Sequence, residues 1–358
     1  GEGTIVCKVK FSRREFIRSA FLRGGVFLLK GSVVPVVARS SPTWVPGYAK
    51  LAMEGGLHNR VQQAYDHFEA CTLCPRQCGV DRVSGETGYC RATTKVKVHS
   101  AQPHFGEEKS LTGQHGSGTI FFSNCNLRCV FFQNWPIAHK GYGEEISDDD
   151  LAQIMLRLQG LGCHNINLVT PTHVMPNILN AVEKAHTRGL RIPLVYNTSG
   201  YERIEILKLL KDVVDIYLPD MKYMDPKKAA MYSAGADDYP DVTLKAILEM
   251  HRQVGLHRTD GRGIAQGGLM IRHLVMPNRV AGTKAFVHWV AENLPRSTYV
   301  NIMAQYHVDF KAFEYQEIRR SITVKEYLEA MAGAKQVGRT TLAPDSIRVQ
   351  DIYLNRGE

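Results

Sequence analysis

Six of the eight cysteines in this 358-residue chain fall into two groups, and closely spaced cysteines can bind a metal. The first group is Cys71, Cys74, Cys78 and Cys90, and its first two members have C-x-x-C spacing. Sulfur-only ligation suits structural zinc or an iron–sulfur cluster. A disulfide framework is the alternative, but this spacing in a chain of this length favours metal or redox chemistry. We therefore predict one metal centre, holding zinc or an auxiliary iron–sulfur cluster.

The second group is Cys125 and Cys129, which lie in the segment SNCNLRCVFFQNW at 123–135. This segment resembles the radical S-adenosylmethionine (SAM) signature C-x-x-x-C-x-x-C, except that Phe132 stands at the third cysteine position. The resemblance extends over roughly residues 66–320 and is to a branch related to the pyruvate formate-lyase activating enzyme. Its other matching segments are 116–122, 165–173, 195–201, 215–222, 271–277 and 300–306.

The resemblance implies a 4Fe–4S cluster and SAM as cofactors. Three cysteines of such a loop hold three irons, and SAM binds the fourth. The cluster splits SAM, and the resulting 5′-deoxyadenosyl radical abstracts hydrogen from a substrate. The activating-enzyme branch implies a protein substrate and a reductant such as flavodoxin or ferredoxin. The resemblance also implies a SAM pocket that is lined by Thr170, Asn197, Ser199, Asp220, Lys222 and His273.

Phe132 cannot ligate iron, which leaves two interpretations of the second group. In the first, the chain is a natural lineage or an altered copy whose cluster is weak or absent, and a non-catalytic SAM-binding or metal-binding protein is then the alternative to a radical SAM enzyme. In the second, a ligand from elsewhere replaces the missing thiolate, and Cys163, His104 and His173 are the candidates. An imidazole can take this role, as Rieske centres show. We favour loss of the normal cluster over rescue by another ligand, and a radical SAM enzyme remains the leading function that the resemblance implies.

The elements that must position these residues follow from hydrophobic periodicity. From residue 116 onward, short apolar runs alternate with longer amphipathic stretches, which predicts parallel strands covered by helices on both sides. The predicted strands are 118–123, 165–170, 193–197, 213–218, 269–276 and 299–303, and the predicted helices are 148–161, 177–188, 203–210, 244–253 and 284–293. Six such units indicate an α/β fold with a partial (β/α)6 TIM-like barrel of the radical SAM type.

Polar residues follow several of the predicted strands, where barrel enzymes place their chemistry. Asp220 and Lys222 lie two positions apart in an extended run and therefore share a face. An ordinary ion pair at a strand end is the alternative to a pocket role for these two residues. Arg272 and His273 are adjacent in a strand, so only one of them can face the barrel interior.

The pattern divides the chain into five parts. They are a twin-arginine-like segment at 1–38, a linker at 39–65, the four-cysteine segment at 66–115, the barrel at 116–310 and a C-terminal extension at 311–358. Arg13 and Arg14 precede a moderately apolar stretch, as in an export signal, whereas SAM is made in the cytosol. Both a cytoplasmic and an exported location therefore remain open.

Charge and hydropathy argue against two classes of partner. The net charge is +9, but the first 38 residues carry seven Lys or Arg and two Glu, so the remainder is only mildly basic. It has no basic run interleaved with aromatic residues, so we expect no binding to nucleic acid. Arg23 and Lys30 interrupt the N-terminal apolar stretch, so we expect no stable membrane insertion.

Overall fold

The computed structural model describes residues 44–338 and 341–355, and the twin-arginine-like segment lies outside them. The helices are α1 (Gly47–Met53), α2 (Gly56–Asp66), α3 (Lys109–Thr112), α4 (Trp135–Ala138), α5 (Asp148–Gly160), α6 (Met175–Thr187), α7 (Ile204–Leu210), α8 (Pro226–Tyr232), α9 (Tyr239–Val254), α10 (Thr283–Asn293), α11 (Val324–Val337) and α12 (Pro344–Asn355). The strands are β1 (Val96–His104), β2 (Ser117–Phe122), β3 (Glu144–Ile146), β4 (Ile166–Val169), β5 (Leu194–Thr198), β6 (Ile216–Pro219), β7 (Arg258–Thr259), β8 (Ala265–Leu274), β9 (Tyr299–Met303) and β10 (Thr341–Leu342).

The described strands form one open, largely parallel sheet in the order β10-β9-β8-β6-β5-β4-β2-β1-β3, and β7 pairs with β8. From β2 to β10 the strands along this order are parallel, whereas β1 is antiparallel to β2 and β3 is antiparallel to β1. All six predicted barrel strands are present, and the predicted partial barrel is confirmed. Its strands are nearly apolar throughout because helices cover the sheet.

The central strands and helices form where the sequence pattern predicts them. β5 is buried along its whole length, and β4 is nearly so. α5 begins with a capping box between Ser147 and Asp150, and three acidic residues in its first turn complement the helix dipole. Its buried residues, Leu151, Ala152, Met155 and Leu158, lie on one face, as the helical period requires.

The structure contains helices where a linker was expected, at residues 39–65. The described part of that range, residues 44–65, forms α1 and nearly all of α2, and Tyr48 and Leu57 are almost completely buried. Tyr48 donates a hydrogen bond to the Ile192 carbonyl over 2.9 Å. Asp215 accepts from the Gly47 amide over 2.8 Å, so α1 is tied to the barrel. Gly and Pro near these short helices resemble loop composition, and tertiary packing overrides that local signal.

The other boundaries expected between parts of the chain also fall within continuous structure. β1 belongs to the expected four-cysteine segment, yet it forms a long antiparallel ladder with β2 of the barrel. The expected C-terminal extension contains β10, which pairs in parallel with β9, and α11 and α12 flank it. The described residues from Trp44 onward form one compact unit. None of the described helices combines the length and apolar character needed to cross a membrane.

Candidate functional site

A cavity of about 70 Å³ lies at the carboxyl ends of β4, β5 and β6. It brings together five of the six residues expected to bind SAM and the two cysteines of the signature loop. Its lining residues are Cys125, Leu127, Cys129, Phe132, Val169, Thr170, Asn197, Thr198, Ser199, Asp220, Lys222 and Arg272. Parallel strands end at the same edge of a sheet, which is why residues distant in sequence meet here.

The signature loop is held by hydrogen bonds to its own sulfur and to its neighbours. Cys125 Sγ accepts from the amides of Leu127 and Arg128 over 3.3 and 3.4 Å, and Arg128 has a φ of 50°. Cys129 Sγ lies 3.1 Å from Ser233 Oγ, and burial raises the pKa of this thiol to about 11, while Lys222 acts to lower it. The backbone is thus shaped to present both sulfur atoms to one cavity.

Phe132 also lines this cavity and packs against the hydrophobic core. The loop therefore supplies two thiolates and a phenyl ring, one ligand fewer than the three-thiolate loop of a site-differentiated cubane. Cys163, His104 and His173 do not line the cavity. His173 is buried with its Nε2 bonded to the Ser123 carbonyl over 2.7 Å, and burial lowers its pKa to about 4. The residues present therefore do not fit a normal three-cysteine cluster.

A buried ion network forms one wall of the cavity. Asp220 contacts Lys222 Nζ over 2.7 Å and Arg272 Nε over 2.8 Å. Arg272 also donates to Glu107 over 3.1 Å and to Asn197 Oδ1 over 2.6 Å. Burial acts to raise the pKa of Asp220, but Arg272 and Lys222 hold it below its ordinary value. The same burial raises the pKa of Glu107 to about 6.

Ser199 carries a hydroxyl that no described residue satisfies. Its Oγ is buried without a hydrogen-bond partner, and the residue lines the cavity. Gly200 follows it with a φ of 82°, and a Cβ there would lie 2.6 Å from the Asp220 carbonyl. The chain can therefore turn past Asp220 only with glycine at this position. An orphaned buried hydroxyl beside a cavity fits a polar ligand, because such groups are costly to leave unpaired.

His273 is the one expected pocket residue that the structure places elsewhere. Its Nδ1 lies 2.7 Å from the Met221 carbonyl and its Nε2 lies 2.9 Å from Thr283 Oγ1. Its ring stacks on Phe286 of α10 at a centroid distance of 4.6 Å. Adjacent strand residues point to opposite faces, so Arg272 faces the barrel interior and His273 faces the helix layer. Arg272 and Glu107 are the site residues that sequence reasoning missed, and only the strand alternation offered a signal for Arg272.

The four cysteines of the first group are close enough to influence one another. Burial raises the pKa of Cys74 to about 12, and the charges of Cys90, Cys71 and Cys78 act in the same direction. All seven described cysteines are free thiols. Within the described ranges, however, no three His, Cys, Asp or Glu side chains are arranged to hold a metal ion as they stand. The metal centre remains a prediction.

Arg76 physically connects the two cysteine groups. It lies between Cys74 and Cys78, and its Nε donates to the Asn126 carbonyl of the signature loop over 3.1 Å. Its terminal nitrogens donate to the carbonyls of Ser233 and Ala234, each over 3.1 Å. Its guanidinium lies 4.2 Å from the ring centroid of Tyr89. The first cysteine segment therefore supports the loop that carries Cys125 and Cys129.

Comparisons with known proteins agree with this geometry. The sequence model described as "Radical SAM superfamily" matches residues 119–262. An uncharacterized protein of Methanocaldococcus jannaschii, MJ0674, is 31% identical over 288 residues, which cover 77% of this chain and 78% of that protein. A second protein of that organism, MJ0808, is 23% identical over 74% of this chain and 80% of its own length.

Two solved structures are similar to part of this chain. Streptococcus suis SuiB bound to S-adenosylmethionine matches 62% of this chain and 48% of its own, with 13% identity and a TM-score of 0.44. TYW1 with a lysine-pyruvate adduct matches 61% of this chain and 72% of its own, with 10% identity and a TM-score of 0.38. The family match and the long alignment with MJ0674 cover the strands that build the cavity. The chain therefore belongs to the radical SAM superfamily.

Proposed function

We propose that this chain binds SAM in the cavity at the carboxyl ends of β4–β6, and that its site follows the plan of an activating enzyme. The observation that supports this is the convergence of Cys125, Cys129 and the polar residues of three strands on one cavity. A complete site of this kind would hold a 4Fe–4S cluster on three thiolates, of which this chain offers Cys125 and Cys129. The cluster would supply the electron for cleavage of SAM, and the resulting radical would take hydrogen from a protein substrate. A small reductant such as flavodoxin or ferredoxin would deliver the electron.

The residues around the cavity suit the polar groups of SAM. Thr170 and Ser199 offer hydroxyls, and the Ser199 hydroxyl has no other described partner. Lys222 is a buried cation, and Asp220 raises its pKa against the effect of burial. SAM carries a carboxylate, an ammonium group and ribose hydroxyls, so hydroxyls and paired charges are the groups that would orient it.

A second candidate function is favoured by Phe132. The ring occupies the position of the third thiolate, so this chain would bind SAM or a metal without radical catalysis. A cubane on two cysteines leaves two irons without protein ligands, and oxygen or chelators would remove it easily. For the chain as it stands we favour this non-catalytic form of the activating-enzyme site.

The experiment that tests SAM binding uses the full-length protein and titration calorimetry. Ser199→Ala should weaken SAM affinity about fivefold, which corresponds to the net free energy of one neutral hydrogen bond. The free energy of unfolding should stay unchanged, because no hydrogen bond within the protein is lost. Ser321→Ala is the matched control, since Ser321 is exposed. Absence of SAM binding, or equal affinity of the two variants, would contradict the assignment of the cavity.

A second measurement separates the two candidate functions. Protein reconstituted anaerobically with iron and sulfide is incubated with SAM and dithionite, and 5′-deoxyadenosine is quantified. We expect SAM binding without this product. Formation of stoichiometric or catalytic 5′-deoxyadenosine by the unmodified chain would instead establish radical catalysis and overturn the non-catalytic candidate.

A further inference from the structure

A second cavity, of about 150 Å³, shares Arg272 with the first one. It is bounded by the β1–α3 connection, the carboxyl end of β9 and the start of α12. Its polar and charged lining consists mainly of Glu107, Glu108, Arg272, Asn301, Gln305 and Asp345. Because Arg272 lines both spaces, a group bound here would lie beside the cavity that we assign to SAM.

Glu108 supplies the observation that points to a ligand. The residue is only 3% exposed, and its Oε1 accepts a hydrogen bond from Asn301 Nδ2 over 2.9 Å. Its Oε2 is buried and has no hydrogen-bond partner among the described residues. A buried carboxylate oxygen without a partner carries a desolvation cost that a bound donor would remove.

The charges around the two cavities are not balanced. Four carboxylates and two cations line the two cavities in the described part of the chain: Glu107, Glu108, Asp220 and Asp345 against Arg272 and Lys222. Asp220 is paired with both cations, and Glu107 is paired with Arg272. Neither Glu108 nor Asp345 forms an ion pair with a described residue, so two negative charges remain uncompensated. Buried charges are normally paired, which favours a cationic ligand.

We propose that this second cavity binds the primary ammonium group of a lysine side chain from a partner protein, which occupies the position that a protein substrate takes in a catalytic site of this plan. An ammonium group brings one positive charge and three N–H donors. The cavity offers Glu108 Oε2 together with the side chains of Gln305 and Asp345 as acceptors. A metal ion fits less well, because no three described acidic, His or Cys side chains are arranged to hold one. This inference rests on the proposed function, since it places that ammonium group beside the SAM cavity.

The test is titration calorimetry of the full-length protein with a blocked pentapeptide that has lysine at its centre and glycine elsewhere. The peptide with norleucine in place of lysine is the neutral control, and 1,5-diaminopentane represents a free amine. We expect the lysine peptide to bind, the norleucine peptide not to bind, and the diamine to bind more weakly. Glu108→Gln keeps an acceptor for Asn301 but removes the charge, and should weaken peptide binding at least about tenfold.

Controls separate this inference from folding defects and from the proposed function. Glu54→Gln, at an exposed position, should leave peptide affinity unchanged. Gln305→Glu adds a carboxylate at the cavity and should tighten binding, which a damaged fold would not do. Tighter binding of the diamine than of the peptide, displacement of the peptide by millimolar Mg²⁺, or unchanged affinity in Glu108→Gln would each overturn the proposal. SAM binding is measured separately, and its absence would contradict the assignment of the first cavity but not that of the second.

Discussion

Arg272 Nε lies 2.8 Å from Asp220 Oδ1, across the neighbouring parallel strands β6 and β8. Asp220 and Arg272 also form an isolated parallel β-bridge. The same guanidinium reaches Glu107, which lies 165 positions earlier in the chain. A single arginine therefore joins the β1–α3 connection, β6 and β8 at the mouth of the barrel.

Removal of this arginine should destabilise the protein strongly. Arg272→Met leaves Glu107 buried without its cation and weakens the compensation of Asp220, so the free energy of unfolding should fall by about 3–5 kcal/mol. Urea denaturation measures this change. Arg320→Met is the control, because Arg320 forms a more exposed pair with Glu326 and should cost about 1 kcal/mol or less. A loss below 1 kcal/mol for Arg272→Met would show that the network does not stabilise the fold.

Replacement of Phe132 by cysteine should restore a site-differentiated cluster. Phe132 already lines the cavity with Cys125 and Cys129, so only one thiolate is missing. Anaerobic reconstitution of Phe132→Cys should raise iron and sulfide to about four each at the barrel site, and dithionite should then yield 5′-deoxyadenosine from SAM. Phe132→Ser is the matched control and should not gain the cluster. Failure of Phe132→Cys to bind iron would mean that more than one ligand position has changed.

The four-cysteine segment should bind one metal centre independently of the barrel. Changing Cys71, Cys74, Cys78 and Cys90 together to serine should remove that centre, because serine is a poor ligand for zinc or iron–sulfur clusters. Elemental analysis measures the loss and also distinguishes zinc from iron. Cys163→Ser provides the control, since Cys163 is a buried cysteine that lines neither cavity. Unchanged metal content in the fourfold variant would refute the prediction.

Export can be tested at Arg13 and Arg14, which lie outside the described residues. If the pair acts as a twin-arginine signal, a reporter fused to the N-terminal segment should leave the cytosol, and replacement of both residues by lysine should retain it. Cell fractionation of both fusions gives the answer. A reporter that stays in the cytosol even with both arginines would support the cytoplasmic location.

Glu202 should make stability depend on pH. It is 1% exposed, and burial raises its pKa to about 7 although Thr172 donates to it over 2.5 Å. The folded state thus keeps a proton that the unfolded state releases above its ordinary pKa of 4.5. Its stabilising contribution is present below pH 4.5 and is lost as pH rises toward 7, by about 3 kcal/mol.

Glu202→Gln removes this titration, so the comparison isolates one group. The difference in free energy of unfolding between the two proteins should change by about 3 kcal/mol in favour of the variant between pH 4.5 and 7. Denaturation at several pH values measures it. Glu205→Gln, at an exposed position on α7, should show no such change. Parallel pH profiles for the original protein and Glu202→Gln would contradict the raised pKa.

Local sequence patterns determined much of this protein. The period of apolar residues predicted all six barrel strands, because alternation and burial are encoded within a few neighbouring residues. The family resemblance named Thr170, Asn197, Ser199, Asp220 and Lys222 as pocket residues. They meet at one cavity because they lie at or just beyond the ends of parallel strands, which share a common edge. The spacing of the cysteines likewise identified the two candidate metal-binding segments.

Only the tertiary structure decided which side chains of the site contact one another. Strand register, not local sequence, turns Arg272 into the barrel and His273 toward α10. Glu107 and Glu108 gained partners on β8 and β9 through contacts with residues more than 150 positions away. Burial then raised the pKa of Glu107, because desolvation depends on everything packed around a side chain. Such long-range pairing and desolvation leave no periodic signal in a sequence, which is why the second cavity could be found only in the folded chain.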